Sequence, residues 1–455
     1  MLFAVLACLL ISTCSAEYEE REFIEAEPVE ADSDWKLVFI QALWRHGDRS
    51  PILAYTIPSD KLGPANWTKG GGGYGQLSPT GMNQHMLLGG KLRTRYNNTI
   101  SPRYVANEVY IRSTDVNRTL LSAISNMVGF YPYSSAVPNE DVPNKFSQWP
   151  HFVPVPVHTV PEHWDPVLGV HNCSYERTVF EKLVNSTEWK KTVKDNQDLL
   201  NKVQKFGGFK NFTLDQIIGV RDTLFIEKTS TIDGIHMPDH FTEELFNQID
   251  ELAGVVDDLE DGINVAKDGD FDFSIELPKV TGGPLLWEII NHMQQKRACL
   301  DKTSKRTDDE QKACDYFDPL KYYAFSAHDS TISTLFSTFG FKESNFNSTG
   351  LPHYASCVTI ELYQSTTKGT KDYKIKVLYW PELHGPWDVT HWVTGCDNHC
   401  SLDDFVNRSM PYKIDDMNAY CNPTPDNGAF STNLAITSLL VVLLAMIFGS
   451  SNKRA

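Results

Sequence analysis

The feature that most constrains the fold is a mostly apolar run, Leu37–Leu43, that stops abruptly at a charged turn. The run has the length of a buried strand, and the sequence WRHGDRSP follows it at residues 44–51. A short apolar segment closed by glycine and proline indicates a strand that feeds a loop. Loops at the carboxyl ends of strands are where α/β proteins bind ligands, so this turn is a candidate site.

The residue types in the turn point to phosphate. An arginine presents a planar fork of donors that pairs with phosphate oxygens bidentately. Nearby cations disfavour the imidazolium form, so Arg45 and Arg49 should lower the pKa of His46 and leave it neutral in mildly acid solution, with a ring nitrogen free to attack. The alternative is an ordinary surface turn, which the preceding buried strand makes the weaker interpretation.

Two later strands are predicted to end at residues of the same kinds. Asn107–Ile111 is followed by Arg112, and Tyr322–Ser326 is followed shortly by His328 and Asp329. Because the carboxyl ends of parallel strands converge in an open α/β sheet, these residues are expected beside the first turn.

Each of these residues also has an ordinary structural explanation. Arg112 could begin a helix and pair with Asp115. His328 could be a core histidine with satisfied hydrogen bonds, and Asp329 could cap the helix that follows it.

Four segments together resemble the histidine acid phosphatases, and they are most similar to the branch that contains the prostatic and lysosomal enzymes. They are residues 45–51 (RHGDRSP), 109–119 (VYIRSTDVNRT), 324–331 (AFSAHDST) and 351–357 (LPHYASC). The similarity runs from about residue 35 to residue 421. Several motifs in the right order are far more specific than any one of them, which favours the functional interpretation over the separate structural ones.

The resemblance implies a fold, a reaction and the role of each site residue. The fold would be α/β, with a phosphoglycerate-mutase-like central mixed sheet flanked by helices and a smaller, mainly α domain inserted. His46 would attack phosphorus and form a phosphohistidine, and Asp329 would be the general acid for the leaving alcohol. Neither a metal nor another cofactor would be needed. The residues implied to bind the phosphate oxygens are Arg45, Arg49, Arg112 and His328.

Other functions on the same scaffold are open. A phytase-like inositol phosphate phosphatase would favour extra cations near the site, but the chain is acidic, and His328-Asp329 departs from the His-Ala-Glu form of that branch. A catalytically silent surface protein is the second alternative, although both His46 and Asp329 are present.

The composition restricts the partners. The 455-residue chain has a formal net charge of −17 and is 41% hydrophobic. This charge argues against nucleic acid as a partner, because nucleic-acid binders usually present a basic face. Small phosphate monoesters are the expected substrates, since a local cationic pocket can lie within an acidic protein. Relatives often form homodimers, and the oligomeric state stays open.

Both ends of the chain suggest a membrane-anchored, lumenal protein. Residues 1–16 are apolar and end in small residues, which is typical of a signal peptide. Residues 429–449 are apolar and long enough to span a bilayer, and the basic residues in 450–455 predict a short cytoplasmic tail of a single-pass type I protein. A GPI signal and a buried helix are the alternatives for the last apolar segment.

The rest of the chain divides into an acidic flexible segment, an α/β catalytic domain and an insert. The acidic segment is 17–34, the catalytic domain comprises 35–131 and 284–421, and the mainly α insert is 132–283. The sequons expected to carry glycans are Asn66, Asn97, Asn172, Asn185, Asn211, Asn347 and Asn407.

Seven cysteines follow the leader, so at least one should lack an intramolecular partner. The resemblance implies that Cys396 pairs with Cys400 and that Cys173 pairs with Cys421. Zinc held by Cys396, His399 and Cys400 is an alternative that an oxidising lumen makes less favourable. Cys299 and Cys314 flank a charged loop and are candidates for a local pair; no clear partner is found for Cys357.

Overall fold

The computed structural model describes residue 29 and residues 34–143, 149–168, 173–301, 305–342, 351–367, 370, 372–381, 385–396 and 399–422. Several predictions fall outside these residues: the leader at 1–16, most of 17–34, the membrane segment 429–449 with its tail 450–455, and the sequons Asn172 and Asn347. Within the described ranges, no helix has both the length and the apolar character that a membrane span requires.

A seven-stranded mixed sheet forms the centre of the protein. Its strands are β1 (Trp35–Arg45), β2 (Val109–Thr114), β3 (His158–Val160), β4 (Tyr322–Ala327), β5 (Cys357–Ser365), β6 (Tyr373–Trp380) and β7 (Trp387–Asp388). They lie in the order β3-β2-β4-β1-β5-β6-β7. The first four in this order are parallel, and each of the last three is antiparallel to the strand before it. The predicted α/β fold with a mixed central sheet is confirmed.

The helices are α1 (Pro79–Arg95), α2 (Asn117–Phe130), α3 (Ser174–Val184), α4 (Thr187–Asp195), α5 (Gln197–Gly207), α6 (Gln216–Thr229), α7 (Glu243–Glu260), α8 (Phe273–Thr281), α9 (Gly283–Asp301), α10 (Asp308–Phe317), α11 (Asp329–Phe339), α12 (Leu402–Ser409) and α13 (Met417–Cys421). Short 3-10 turns lie at Leu53–Tyr55, Pro64–Asn66, Tyr133–Ser135, Glu162–Trp164, Thr390–Trp392 and Met410–Tyr412.

The central strand β1 is buried on both faces. Successive side chains of a strand point to opposite sides of the sheet, and here both sides are covered by helices. Phe39 and Leu43 pack with apolar residues of α9, α11 and α12. Ile40, Ala42 and Trp44 pack with residues of α1 and α2. A near-continuous apolar strand of this kind is typical of a sheet covered by helices on both faces. The sheet therefore presents its strand ends, not its faces, to a ligand.

Helices α3–α8 bury a separate apolar core, which Ile57 from the loop after β1 also joins. The segment predicted as a mainly α insert, 132–283, contains these helices. It also contains β3, which pairs in parallel with β2 at the edge of the main sheet. The boundaries of this segment as a domain stay a prediction.

Three disulfides link six of the seven described cysteines. Cys173 pairs with Cys421 across 248 residues, and Cys396 pairs with Cys400, so these two are not available as zinc ligands. The pair suggested by position, Cys299 and Cys314, is also bonded. Cys357 is buried and free.

Glu227, on α6, is a buried acid that couples folding to pH. Its exposed fraction is 1%, and burial, together with the neighbouring Asp60, raises its pKa to about 9. Above the ordinary pKa of a glutamate, the unfolded chain releases this proton but the folded protein keeps it. Glu227 therefore lowers the free energy of unfolding more and more as the pH rises between these two pKa values. We expect Glu227→Gln to raise Tm by several degrees at neutral pH and by much less near about pH 5, in thermal unfolding scans.

Glu108 is the matched control for this prediction. It accepts hydrogen bonds from Lys321 and Ser101, and although burial opposes them, these bonds lower its pKa. A carboxylate whose pKa is lowered by folding stabilises the protein almost fully once the pH exceeds the pKa of that group in the unfolded chain. Glu108→Gln should therefore lower Tm by similar amounts at both pH values. A Tm shift in Glu227→Gln that is the same at both pH values would contradict the buried-proton explanation.

Candidate active site

The turn after β1 is held in place by contacts from three other elements. The His46 N–H donates to the carbonyl of Ala327 at the end of β4 (3.0 Å), and the Gly47 N–H donates to Oγ of Ser122 on α2 (3.2 Å). A Cβ on Gly47 would lie only 2.4 Å from the carbonyl oxygen of Gly81 in α1. Glycine at this position therefore allows the start of α1 to pack directly against the turn.

His46 is buried and keeps one ring nitrogen free. Its exposed fraction is 1%, and its Nδ1 lies 2.8 Å from the Gly47 carbonyl oxygen. A carbonyl only accepts, so Nδ1 carries the proton and Nε2 keeps its lone pair. Burial lowers the pKa of His46 well below its ordinary value, and the charges of Arg118, Arg49 and Arg45 lower it further. The ring is therefore neutral in acid, as the sequence predicts.

The two arginines of the turn are each held through their terminal nitrogens. Arg45 donates from Nη1 to the Pro352 carbonyl (2.5 Å), and its Nη2 pairs with Asp329 (2.8 Å). Arg49 makes two bonds of 3.0 Å to the carboxylate of Asp222. Both guanidinium planes are therefore fixed before any ligand binds.

A third arginine, Arg118, lies at the start of α2, with Nη2 3.4 Å from Nδ1 of His328. Burial and repulsion from Arg49 lower its pKa to about 10. In Arg45, Arg49 and Arg118 alike, the Nε–H is buried and none of the described residues accepts from it. Buried donors nearly always have partners. The Nε–H of Arg112 is also buried and has no acceptor among the described residues. What points to an anion with several oxygens is that the charges of Arg45, Arg49 and Arg118 all act on the one histidine.

Arg112, predicted to bind phosphate, is not among the arginines whose charges act on His46, His328 or Asp329. β2 continues for two residues beyond it, so Arg112 lies within the strand rather than at its end. Its guanidinium pairs with Asp165 (2.5 Å) and Glu288 (3.5 Å) instead. Arg118 lies beside His328 instead, because the strand ends later than the apolar pattern suggests and the chain turns into α2 there. The sequence signal for Arg118 was present, since it lies in the same 109–119 motif.

His328 follows β4 and joins the site through both ring nitrogens. Nε2 lies 3.1 Å from Oγ1 of Thr114, and Nδ1 faces Arg118, which can only donate. His328 is therefore neutral, with its proton on Nε2. Burial is the largest cause of its lowered pKa, and the charge of Arg118 adds to it. Its ring centre lies 5.6 Å from that of His46.

Asp329 is the first residue of α11 and is ionised in the unliganded protein. Burial by itself would raise its pKa, but Arg45 and Arg49 outweigh burial and lower the pKa to about 2. A phosphate dianion that competed for these arginines would raise it again. Asp329 can therefore donate a proton only when a substrate is bound.

Tyr354 was not among the predicted site residues, although it lies in the fourth motif. Its ring lies 4.3 Å from the guanidinium carbon of Arg45 and 5.9 Å, centre to centre, from His46. Its hydroxyl is buried, and no described residue bonds to it. Phe225 of α6, which is 38% exposed, lies 6.2 Å from the Tyr354 ring. The two rings form an aromatic wall beside the arginines.

Known proteins share this arrangement of motifs and fold. Residues 36–380 match the family model described as the histidine phosphatase superfamily (branch 2). The chain is 31% identical to the prostatic acid phosphatase of Homo sapiens over 393 residues, which are 86% of this chain and 89% of that protein. It is 30% identical to the lysosomal acid phosphatase of Bos taurus, over 90% of this chain and 88% of that one.

Solved structures give the same fold at lower identity. The apo phytase of Hafnia alvei matches with a TM-score of 0.57 at 14% identity, covering 86% of this chain and 99% of that one. A Klebsiella phytase matches with a TM-score of 0.56 at 13% identity, covering 85% and 96%. Because the family match covers most of the chain, the protein belongs to branch 2 of the histidine phosphatase superfamily.

Proposed function

We propose that this protein is an acid phosphatase that hydrolyses phosphate monoesters through a phosphohistidine on His46. The observation that carries the proposal is the convergence on this histidine of Arg45, Arg49 and Arg118, whose buried Nε–H groups have no acceptor among the described residues. Relatives along nearly the whole chain are acid phosphatases, which supports the same reaction.

The reaction takes two steps. Nε2 of His46 attacks phosphorus, the ester P–O bond breaks, and the leaving oxygen takes a proton from Asp329. Water then attacks the phosphohistidine and gives a proton back to Asp329, the P–N bond breaks, and phosphate leaves. Arg45, Arg49 and Arg118 stabilise the charge on the transferred group in both steps.

An inositol phosphate substrate is the second candidate. The likeness to phytases is below 15% identity and shows the fold alone. Next to the arginines lie Tyr354, Phe225 and the carboxylate of Asp222, and these do not favour a ligand with many phosphates. We therefore place simple monoesters first.

The proposal includes a lumenal or extracellular setting, with the chain anchored by residues 429–449. Disulfides suit an oxidising compartment. The described sequons expected to be glycosylated are all exposed: Asn66, Asn97, Asn185, Asn211 and Asn407. Lysosomal and prostatic relatives are consistent with a lysosomal or secreted location.

The test is to trap the intermediate. The purified protein is mixed with a ³²P-labelled monoester in the presence of a chelator and quenched, and the label is tested for stability. We expect a base-stable, acid-labile label in the wild type and in His236→Ala, an exposed histidine, but none in His46→Ala. A label that survives in His46→Ala places the nucleophile elsewhere, and a folded wild type without label or turnover supports the silent scaffold.

A further inference from the structure

Arg49 is held by a residue from a distant part of the chain. Asp222 lies on α6, among the helices that share the separate core, 173 residues after Arg49. Its Oδ2 accepts from Nη1 and its Oδ1 from Nη2, both at 3.0 Å. The Arg49 side chain is 3% exposed and that of Asp222 is 13% exposed. Arg49 and Asp222 therefore form a desolvated contact, with two hydrogen bonds, between the turn after β1 and helix α6.

The helix is also fitted closely to the loop that follows Arg49. Oγ1 of Thr223 donates to the Tyr55 carbonyl (2.7 Å), and a Cβ on Gly219 would lie 2.8 Å from the Tyr55 ring. These contacts place Asp222 at a fixed distance from the turn.

From this geometry we propose that Asp222 is a positioning residue for the phosphatase reaction. Two parallel hydrogen bonds fix both the position and the plane of a guanidinium, whereas one bond would leave it free to rotate. Nη1 also donates to the Ser50 carbonyl (3.3 Å). The buried Nε–H, which has no acceptor among the described residues, and the second hydrogen of Nη2 can then meet phosphate oxygens. Asp222 also offsets one of the three positive charges around His46, and this weakens the binding of the phosphate product.

The proposal rests on the proposed function and predicts a specific kinetic signature. In Asp222→Asn the amide has one acceptor oxygen, so the guanidinium loses its fixed plane, and the site gains positive charge. We expect kcat to fall on the order of 10- to 100-fold, since small misplacements of catalytic groups cost this much. We expect inorganic phosphate to inhibit several-fold more tightly. A generally loosened site would bind phosphate more weakly instead.

Glu361→Gln is the matched control. Glu361 on β5 pairs with Arg95 at 2.7 Å, and the two side chains are 0% and 7% exposed. Neither residue is among the groups whose charges act on His46, Arg49 or Asp329. Removing this carboxylate should lower Tm but leave kcat and phosphate inhibition unchanged.

A double variant tests whether Asp222 acts through Arg49. Arg49→Lys keeps the charge but cannot form two parallel bonds. If the proposal holds, adding Asp222→Asn to Arg49→Lys costs little further activity. Full additive losses, or an Asp222→Asn enzyme with unchanged kcat, overturn it. The phosphohistidine label of the wild type is measured in parallel: without it the proposed function fails, and with it an unaffected Asp222→Asn refutes the positioning role alone.

Discussion

Arg118→Ala is expected to lower kcat/KM for a phosphate monoester by roughly 10²- to 10³-fold, which is the usual cost of losing one charged donor to a transition state. Arg118 touches His328, and its buried Nε–H has no acceptor among the described residues. Arg112→Ala should leave kcat/KM within about threefold of the wild type, because the guanidinium is held by Asp165 and Glu288 and Arg112 is not among the arginines whose charges lower the pKa of His46. Steady-state kinetics on both variants measures the difference.

The two variants should also differ in stability: Arg112→Ala, the more active variant, should be the less stable one. Loss of Arg112 leaves Asp165, whose side chain is 1% exposed, without its close ion-pair partner, and breaking such a buried pair typically costs about 3–5 kcal/mol. Burial and Arg49 lower the pKa of Arg118, so its charge is disfavoured in the folded state. Arg118→Ala should therefore keep or raise Tm while Arg112→Ala lowers it. An inactive but stable Arg112→Ala enzyme would return the phosphate-binding role to that residue.

The Arg112 prediction shows what a strand pattern can and cannot determine. The apolar runs located β1, β2 and β4, because burial on both faces requires long apolar segments. They gave no strand order. They did not determine where β2 ends, since Ser113 and Thr114 are polar residues that nevertheless lie buried in the strand. An error of two residues in the end of β2 was enough to select Arg112 instead of Arg118 as the arginine beside the site.

Residues that act from outside the motifs were harder to predict. His46, His328 and Asp329 were located because each follows a strand of the parallel set. Asp222 belongs to a helix far away in sequence, and an aspartate in a helix carries no local sign that it will meet Arg49. Its role depends on how two apolar cores dock against each other, which periodicity does not reveal.

Asp329→Asn is expected to separate substrates by their leaving groups. Asparagine keeps the shape but cannot supply a proton, and loss of a general acid typically costs about 10²- to 10⁴-fold. For glycerol phosphate, whose alkoxide needs that proton, the rate should fall by the upper end of this range. For p-nitrophenyl phosphate, whose phenolate leaves without help, formation of the phosphohistidine should fall far less. Rapid-quench measurements with both esters give the two rates.

The second step should be slow for every ester in Asp329→Asn, because in the proposed reaction Asp329 also accepts the proton of the attacking water. The variant should therefore accumulate phosphohistidine from p-nitrophenyl phosphate as a burst. Asp115→Asn, which removes an exposed carboxylate near α2, should show no burst beyond that of the wild type. Equal losses for the two esters would remove Asp329 from the general-acid role.

The pH dependence of the wild type follows from the same residue. Asp329 is ionised in the free protein because Arg45 and Arg49 outweigh the effect of burial on its pKa. The proton for the leaving group must then arrive with the substrate, as a phosphate monoanion whose second pKa is about 6. Since His46 stays neutral well into acid, kcat/KM should be highest below about pH 6 and fall about tenfold per unit above it. A value of kcat/KM that kept rising into alkaline solution would mean that the leaving group needs no proton. Asp329 would then not be a general acid.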